Sequence, residues 1–379
     1  MSQLTHRSAF AIDLDETGLV VNLARRHPEC GPLDWGLGHA TRCIPVIHEL
    51  QRQGAEVVIA ADKRPLELLK QEFPQLQFIV FPGYEIAYPE NVSMVFKMAF
   101  SVPKILRKIS EEKKFLKKIV QQEKIDGVIS DNRYGLGITD APTVLLLHQL
   151  MIKSPFGESL LHQITLNYVK QFSFSWVPDF PGENNLSDDL AHQYPLPDNA
   201  RFVGALSRFS SFPQNEKAEK KYDLSVIISG PEPQRTVFEK LIVQQVSNLP
   251  QRTLVVLGKP ENKEKKERIG NADIISHLNA EQLFSAISAS ELVLTRPGYS
   301  TIMDLAVMQK KAIFVPTPGQ TEQEYLGNLY HQKKLHLCVK QDELNVAKAI
   351  EQVSAFNGFS EFSETELLSE NVKEFLVSC

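Results

Sequence analysis

The stretch Glu291-Leu292-Val293-Leu294-Thr295-Arg296-Pro297-Gly298-Tyr299-Ser300-Thr301-Ile302-Met303-Asp304 decides how this chain folds. A short apolar run, Glu291–Leu294, meets a Pro-Gly turn, and a helix-forming pattern follows at once. A strand that turns directly into a helix is the unit from which parallel sheets are built. The turn also carries chemistry. Gly298, Ser300 and Thr301 put N–H groups and hydroxyls at a helix N-terminus, a ready site for phosphate. Arg296 adds a fixed positive charge and a fork of donors. Asp304 lies about one turn further on, where it can accept hydrogen bonds from a ribose diol. A plain strand-to-helix turn with a capping serine is the simpler alternative.

The same alternation extends in both directions. Apolar strand candidates are Glu56–Ala61, Gln77–Phe81, Gly127–Ser130 and Thr143–Leu147 in the first half. In the second half they are Leu224–Ser229, Thr253–Leu257, Ala272–Ser276, Glu291–Thr295 and Ala312–Pro316. Helical patterns such as Ala40–Gln53 and Gln234–Asn248 lie between them. Several strands are continuously apolar, as strands covered on both faces are. The pattern predicts an α/β fold of two doubly wound, Rossmann-like domains facing across a cleft. Residues 178–222 gather Pro178, Pro181, Gly182, Asn184, Asn185, Pro195, Pro197 and Pro213 and are expected to link the domains. The expected division is 1–200 and 201–379.

Three more turns are candidates for chemistry. In Pro32-Leu33-Asp34-Trp35-Gly36-Leu37-Gly38-His39-Ala40-Thr41-Arg42, the glycines Gly36 and Gly38 allow a tight turn that leaves His39 at a helix N-terminus. A neutral imidazole there can take a proton near neutral pH, and a helix-capping histidine is the plainer reading. Ser229-Gly230-Pro231-Glu232-Pro233-Gln234-Arg235 is a second glycine loop that opens a helix and can approach a diphosphate. Pro316-Thr317-Pro318-Gly319-Gln320-Thr321-Glu322-Gln323-Glu324 ends a strand and presents Glu322 and Gln323, an acid beside an amide, to sugar hydroxyls. Asp131 closes the strand Gly127–Ser130. It is placed to orient His39 or to bind an acceptor, or simply starts a turn.

Composition narrows the partners. With a formal net charge of -5, the whole molecule does not draw nucleic acid by its average field. Cys30, Cys43, Cys338 and Cys379 are scattered, so neither a disulfide framework nor a zinc site is expected. No apolar run approaches the length of a membrane span. Asp13, Asp15 and Glu16 stand where a signal peptide needs an apolar core, so a cytoplasmic location is expected. The segment 92–119 sets Lys97, Lys104, Arg107, Lys108, Lys113, Lys114, Lys117 and Lys118 among apolar residues. It reads as a solvated helix or as a basic amphipathic patch resting on anionic lipid at the inner face of the plasma membrane.

These motifs, in this order, resemble the two-domain (GT-B) nucleotide-sugar glycosyltransferase superfamily. The nearest flavour is the peptidoglycan N-acetylglucosaminyltransferase and UDP-glycosyltransferase group. The resemblance covers nearly all of the chain from Pro32 onward. It implies that His39 is the catalytic histidine of the first glycine turn and that Arg296 and Gly298 form the arginine–small–glycine turn. Ser300 and Thr301 would lie on the diphosphate, Asp304 where the family has a glutamate on the ribose, and Glu322 and Gln323 on the donor sugar. The backbone near His277 and Leu278 would meet the base, and the last helix, about 361–379, would pack back on the first domain. The implied reaction is inverting transfer from a UDP-linked sugar, which is a substrate, so no cofactor and no metal is expected. The acceptor is left open between lipid and glycan. The pattern of Gly36, Gly38, His39 and Arg42 also resembles a nucleotide-sugar hydrolase of nonulosonic acid synthesis. Hydrolysis, or nucleotide-sugar binding without catalysis, are therefore the alternatives.

The chain departs from the family before the first motif. There an apolar strand runs straight into the glycine turn. Here Arg25–Gly31 cannot be a buried strand, and the nearest apolar run is Leu19–Ala24. Phe10-Ala11-Ile12-Asp13-Leu14-Asp15-Glu16-Thr17 reads like the first motif of haloacid-dehalogenase-type phosphatases. It lacks matching companions, so Asp13 and Asp15 are expected to be solvated turn residues.

Overall fold

A computed structural model describes residues 9–14, 37–80, 113–123, 125–137, 141–151, 158–213, 219–259, 265–360, 362 and 366–379. The chain divides into two compact units. Unit 1 runs to Leu206 and takes in Glu364–Cys379, and unit 2 contains Ser207–Ser363.

Unit 1 is built on seven strands: β1 Ala9–Leu14, β2 Glu56–Ala61, β3 Gln77–Val80, β4 Ile125–Asp131, β5 Thr143–Leu146, β6 Phe174–Val177 and β7 Ala200–Phe202. Their order in the sheet is β3-β2-β1-β4-β5-β6-β7, and every pairing is parallel. Helices α1 Leu37–Arg52 and α2 Lys63–Glu72 follow β1 and β2. Helix α3 spans 113–123, and α4 Glu158–Val169 and α5 Asp189–His192 come after β5 and β6. β5 is buried at all four positions, as a strand covered by helices on both faces must be. Val58, Val128, Leu145, Leu116, Ile119 and Val169 form one core with it.

The first strand corrects one sequence expectation. It is Ala9–Leu14, central in the sheet, with Asp13 opposite Ala60 and Ser130. Asp13 therefore lies inside a strand rather than in a turn. Leu19–Ala24 and Asp15 fall outside the described residues. The expected linker, 178–222, is largely part of unit 1, because β7 pairs with β6 and the division falls after Leu206. Of the basic segment 92–119, only 113–119 is described. There Leu116 and Ile119 are turned into the core, while Lys114, Lys117 and Lys118 are exposed.

Unit 2 holds β8 Tyr222–Ile227, β9 Thr253–Val256, β10 Lys266–Ile269, β11 Ala272–Ile275, β12 Ser290–Thr295, β13 Ala312–Phe314 and β14 Leu337–Cys338. Their order is β10-β11-β9-β8-β12-β13-β14. All pairings are parallel except the β10–β11 hairpin. Helices α6 Gln234–Val246, α7 Ala280–Ser288, α8 Tyr299–Val307, α9 Thr321–Gln332 and α10 Val346–Gln352 flank the sheet. Phe238, Ile242 and Val246, one and two turns apart on α6, enter the core with Leu224, Val226, Leu294 and Ile313. Among the described residues no helix is long and apolar enough to cross a membrane.

The last helix, α11 Leu367–Ser378, packs within unit 1. Phe375 is fully buried, with its ring edge-on to Phe174 and Trp176 of β6 at centroid distances of 6.2 and 6.0 Å. Gln53 Nε2 donates to the Ser369 carbonyl at 2.8 Å, tying α11 to the end of α1. Phe375→Ala should therefore destabilise unit 1 by about 3–5 kcal/mol, the usual cost of emptying a buried phenylalanine site. Denaturant unfolding followed through Trp176 reads this out, and an unchanged midpoint would show that α11 is not part of the core.

Candidate functional site

In unit 1 the chemistry gathers where β1 and β4 lie side by side. This is the point at which the sheet's strand order turns, where open α/β sheets bind their ligands. α1 starts at Leu37, so His39 sits in its first turn, while Gly36 falls outside the described residues. Gly38 is exposed, and its carbonyl accepts from Thr41 Oγ1 at 2.9 Å. Arg42 and Cys43 are three and four residues beyond His39 and so share its helix face. All three reach Asp131, the last residue of β4. His39 Nδ1 is 2.9 Å from Asp131 Oδ2, Arg42 Nε donates to Oδ1 at 3.0 Å, and Cys43 Sγ approaches Oδ2 at 3.8 Å. Arg42 Nη2 makes a second bond to Oδ1, so the guanidinium grips the carboxylate with two nitrogens. Asp131 is completely buried. Burial pushes its pKa up, but Arg42 and His39 pull harder, and the carboxyl stays below its ordinary range.

Beyond Arg42 stands a residue that the sequence did not single out. Arg42 Nη1 lies 2.8 Å from Nδ1 of His148, which follows β5. A guanidinium can only donate, so His148 Nδ1 accepts and its proton is on Nε2. His39 has the opposite arrangement: its Nδ1–H faces Asp131, leaving the accepting lone pair on Nε2. The two rings are 6.3 Å apart. The clue to Arg42 was its i+3 spacing from His39. The clue to His148 was a lone histidine at the carboxyl end of an otherwise apolar strand.

In unit 2 the predicted residues follow strands on both sides of the equivalent turning point, between β8 and β12. Gly230 follows β8 with φ +114°, a conformation that side chains avoid. Gly298 is the N-cap of α8, with Ser300 and Thr301 in the first turn and no acid there. Ser229 belongs to the Gly230 turn. His277 and Leu278 are half-buried between β11 and α7, with Ser276 Oγ 3.1 Å from His277 Nδ1. In the first turn of α9, Glu322 is half-buried and the Gln323 side-chain carbonyl accepts the Thr317 N–H at 2.9 Å. Among the described residues no three His, Cys, Asp or Glu side chains are placed to hold a metal together.

Two residues are not used as the sequence suggested. Arg296 was expected to offer its charge to a diphosphate. Its side chain is instead buried and turned inward: Nη1 donates to the carbonyls of Val315 and Pro316 at 2.8 Å each, and Nη2 to Gln341. Its carbon centre lies 3.9 Å over the Phe238 ring, and burial lowers its pKa to about 10. The reason is depth: the residue directly after β12 is still inside the layer of flanking helices. Arg296 thus shapes the loop after β13. Asp304 is buried, accepting from Ser207 Oγ at 2.6 Å and pairing with Arg208 at 3.3 Å. Burial pushes its carboxyl pKa up, against the pull of Arg208. Both oxygens are already engaged, so a ribose diol can add at most one further bond to each.

The Asp131 cluster yields a pH test. A carboxylate whose folded pKa is depressed adds stability above its unfolded pKa, about 3.9, and loses it as pH falls through the folded value. Asp131→Asn should cost about 3–5 kcal/mol at pH 7, since it removes the buried carboxylate charge that Arg42 grips. That gap should hold down to about pH 5 and narrow below about pH 4. Urea unfolding of both proteins across this range measures it, and a gap independent of pH would mean that the ion pair is not its source.

The comparisons with known proteins agree with this architecture. Residues 233–375 match the glycosyltransferase family 28 C-terminal domain. A UDP-N-acetylglucosamine--N-acetylmuramyl-(pentapeptide) pyrophosphoryl-undecaprenol N-acetylglucosamine transferase of Glaesserella parasuis is 23% identical over 308 residues, covering 77% of this chain and 79% of that protein. Among solved structures, the calicheamicin glycosyltransferase superposes with a TM-score of 0.58 at 12% identity, covering 99% of this chain and 94% of that one. Acinetobacter baumannii MurG superposes with a TM-score of 0.54 at 13% identity, covering 98% and 94%. With two Rossmann-like units and a family 28 C-terminal domain, the chain is a glycosyltransferase of GT-B fold that resembles the MurG and UDP-glycosyltransferase group.

Proposed function

We propose that the protein transfers a sugar from a UDP-linked donor to an acceptor hydroxyl, with inversion at the anomeric carbon and His39 as general base. The observation that carries this reading is the His39–Asp131 contact at the carboxyl end of β4. Asp131 fixes His39 in the tautomer whose Nε2 can accept a proton and stabilises the imidazolium that forms. Arg42 keeps Asp131 ionised and oriented, and also holds His148 with Nε2 as a donor.

In the reaction, His39 Nε2 takes the acceptor's proton as its oxygen bonds to the anomeric carbon. The bond from that carbon to the phosphate oxygen breaks, and the nucleoside diphosphate leaves with the electron pair. Unit 2 supplies the donor side. The first turn of α8, from Gly298 through Ser300 and Thr301, carries the positive end of a helix dipole and no acid, which suits the leaving diphosphate. The Gly230 turn lies at the adjacent strand end. Stabilisation of the leaving group by a helix N-terminus makes a divalent metal dispensable on this reading.

His39→Ala should lower turnover by about two to four decades, while donor affinity, set by unit 2, stays nearly intact. Wild-type turnover should persist in a chelator. Both are measured with UDP-sugars against a panel of acceptors. Turnover in His39→Ala close to wild type would remove His39 from the mechanism. Free sugar released without acceptor would make the enzyme a hydrolase, and loss of turnover in chelator, restored by magnesium or manganese, would refute metal independence.

A cytoplasmic enzyme working at an anionic membrane is part of the same reading, supported by the exposed Lys114, Lys117 and Lys118 on α3. The apolar side of the described part of α3 is used in the core, so attraction there is electrostatic, about 1 kcal/mol per lysine near the surface. Liposomes rich in anionic lipid should sediment more protein than neutral ones at low salt, and salt should abolish the difference. Equal sedimentation on both would leave these lysines as a solvated face.

A further inference from the structure

Unit 2 contains a hydroxyl with nothing to bond. Thr317 is 5% exposed, and its Oγ1 is shielded from water without a hydrogen-bond partner among the described residues. This is unusual for a buried polar atom, since leaving one unpaired costs as much as desolvating it. The residue itself is firmly held. Its N–H donates to Gln323 Oε1, its carbonyl accepts from Gln320 N at 3.1 Å, and Arg296 grips the two preceding carbonyls. The hydroxyl is therefore orphaned in a rigid setting rather than for want of a settled conformation.

What lies in front of it is the Gly230 turn. A methyl group built on Gly230 would stand 3.9 Å from Thr317 Oγ1 and meet no other described residue within 4 Å. One built on Gly298 would meet only Thr301 Oγ1, at 4.0 Å. Thr317, which follows β13, thus lies against the Gly230 turn, one of two glycine turns that present backbone alone after β8 and β12. The first turn of α8 lacks acids, whereas that of α9 holds Glu322 and Glu324, so an anion is favoured on the α8 side.

We propose that Thr317 Oγ1 donates a hydrogen bond to an oxygen of the donor's diphosphate once the Gly230 turn moves off it. The inference rests on the donor reading above and adds to it a binding residue and a moving part. The turn has no side chain at Gly230 to clear, and the ligand oxygen supplies the partner that the free protein lacks.

Calorimetry on the full-length protein with UDP, dTDP, GDP and UDP-N-acetylglucosamine tests it, comparing wild type, Thr317→Val and Thr317→Ser. Thr317→Val should bind the nucleoside diphosphate preferred by the wild type roughly 10- to 100-fold more weakly, as loss of a bond to a charged group does. Thr317→Ser, which keeps the hydroxyl, should bind within a few-fold of wild type. The valine variant should melt no lower than wild type, because no internal bond is lost. Unchanged diphosphate affinity in Thr317→Val overturns the proposal, as does weakening confined to the sugar-linked nucleotide or weakening matched by a fall in melting temperature. Wild-type protein that binds none of the four ligands would overturn the donor reading itself, and this inference with it.

Discussion

Each sheet grows from its first strand in both directions, and this constraint governs where everything else can be. β1 lies between β2 and β4, and β8 lies between β9 and β12. Parallel strands need crossover helices, and crossovers of one hand place successive helices on opposite faces when the direction of growth reverses. In sheets of this kind the loops that leave a reversal point part, and ligands bind between them without any side-chain chemistry having to create the crevice. Asp131 ends β4 at one such point, and Gly298 follows β12 at the other. The buried strands below are cores and give the loops a rigid base.

The crevice of unit 1 is arranged around one buried charge. A fully buried carboxylate is tolerable only if paired and hydrogen-bonded, and Asp131 meets both conditions through Arg42 and His39. The same bonds order the surrounding groups by proton chemistry. Arg42 cannot accept, so His148 must, while Asp131 cannot donate, so His39 must. Two histidines of identical sequence chemistry acquire opposite roles at Nε2 because one faces a carboxylate and the other a guanidinium.

The two buried arginines show how burial separates function from construction. Arg42 is matched by a carboxylate within the site. Arg296 has two carbonyls, an amide and an aromatic face, and burial lowers its pKa to about 10. A guanidinium held in this way supports the shape of the loop that carries Thr317. Both residues lie beside glycine turns, and neither their type nor their neighbours in sequence separates these two outcomes.

The sequence by itself determined the fold class, because continuously apolar runs such as Thr143–Leu147 and Ala312–Pro316 can only be strands covered on both faces. It also located the turns that leave the strand ends, since glycine, proline and small hydroxyl residues act locally. It did not reveal β1, whose run Ala9–Leu14 contains Asp13, or the edge strands β7 and β14, which are too short to show a period. Their existence depends on neighbours supplied from elsewhere in the chain. His39 and Asp131 were legible as separate candidates. Only the tertiary structure joined them, 92 residues apart, and brought Arg42 and His148 into the same network. It alone turned Arg296 inward, engaged Asp304 with Ser207 and Arg208, and left Thr317 Oγ1 without a partner. The direction and depth of a side chain, and the partners it finds there, are set by packing between distant segments, which local sequence pattern does not encode.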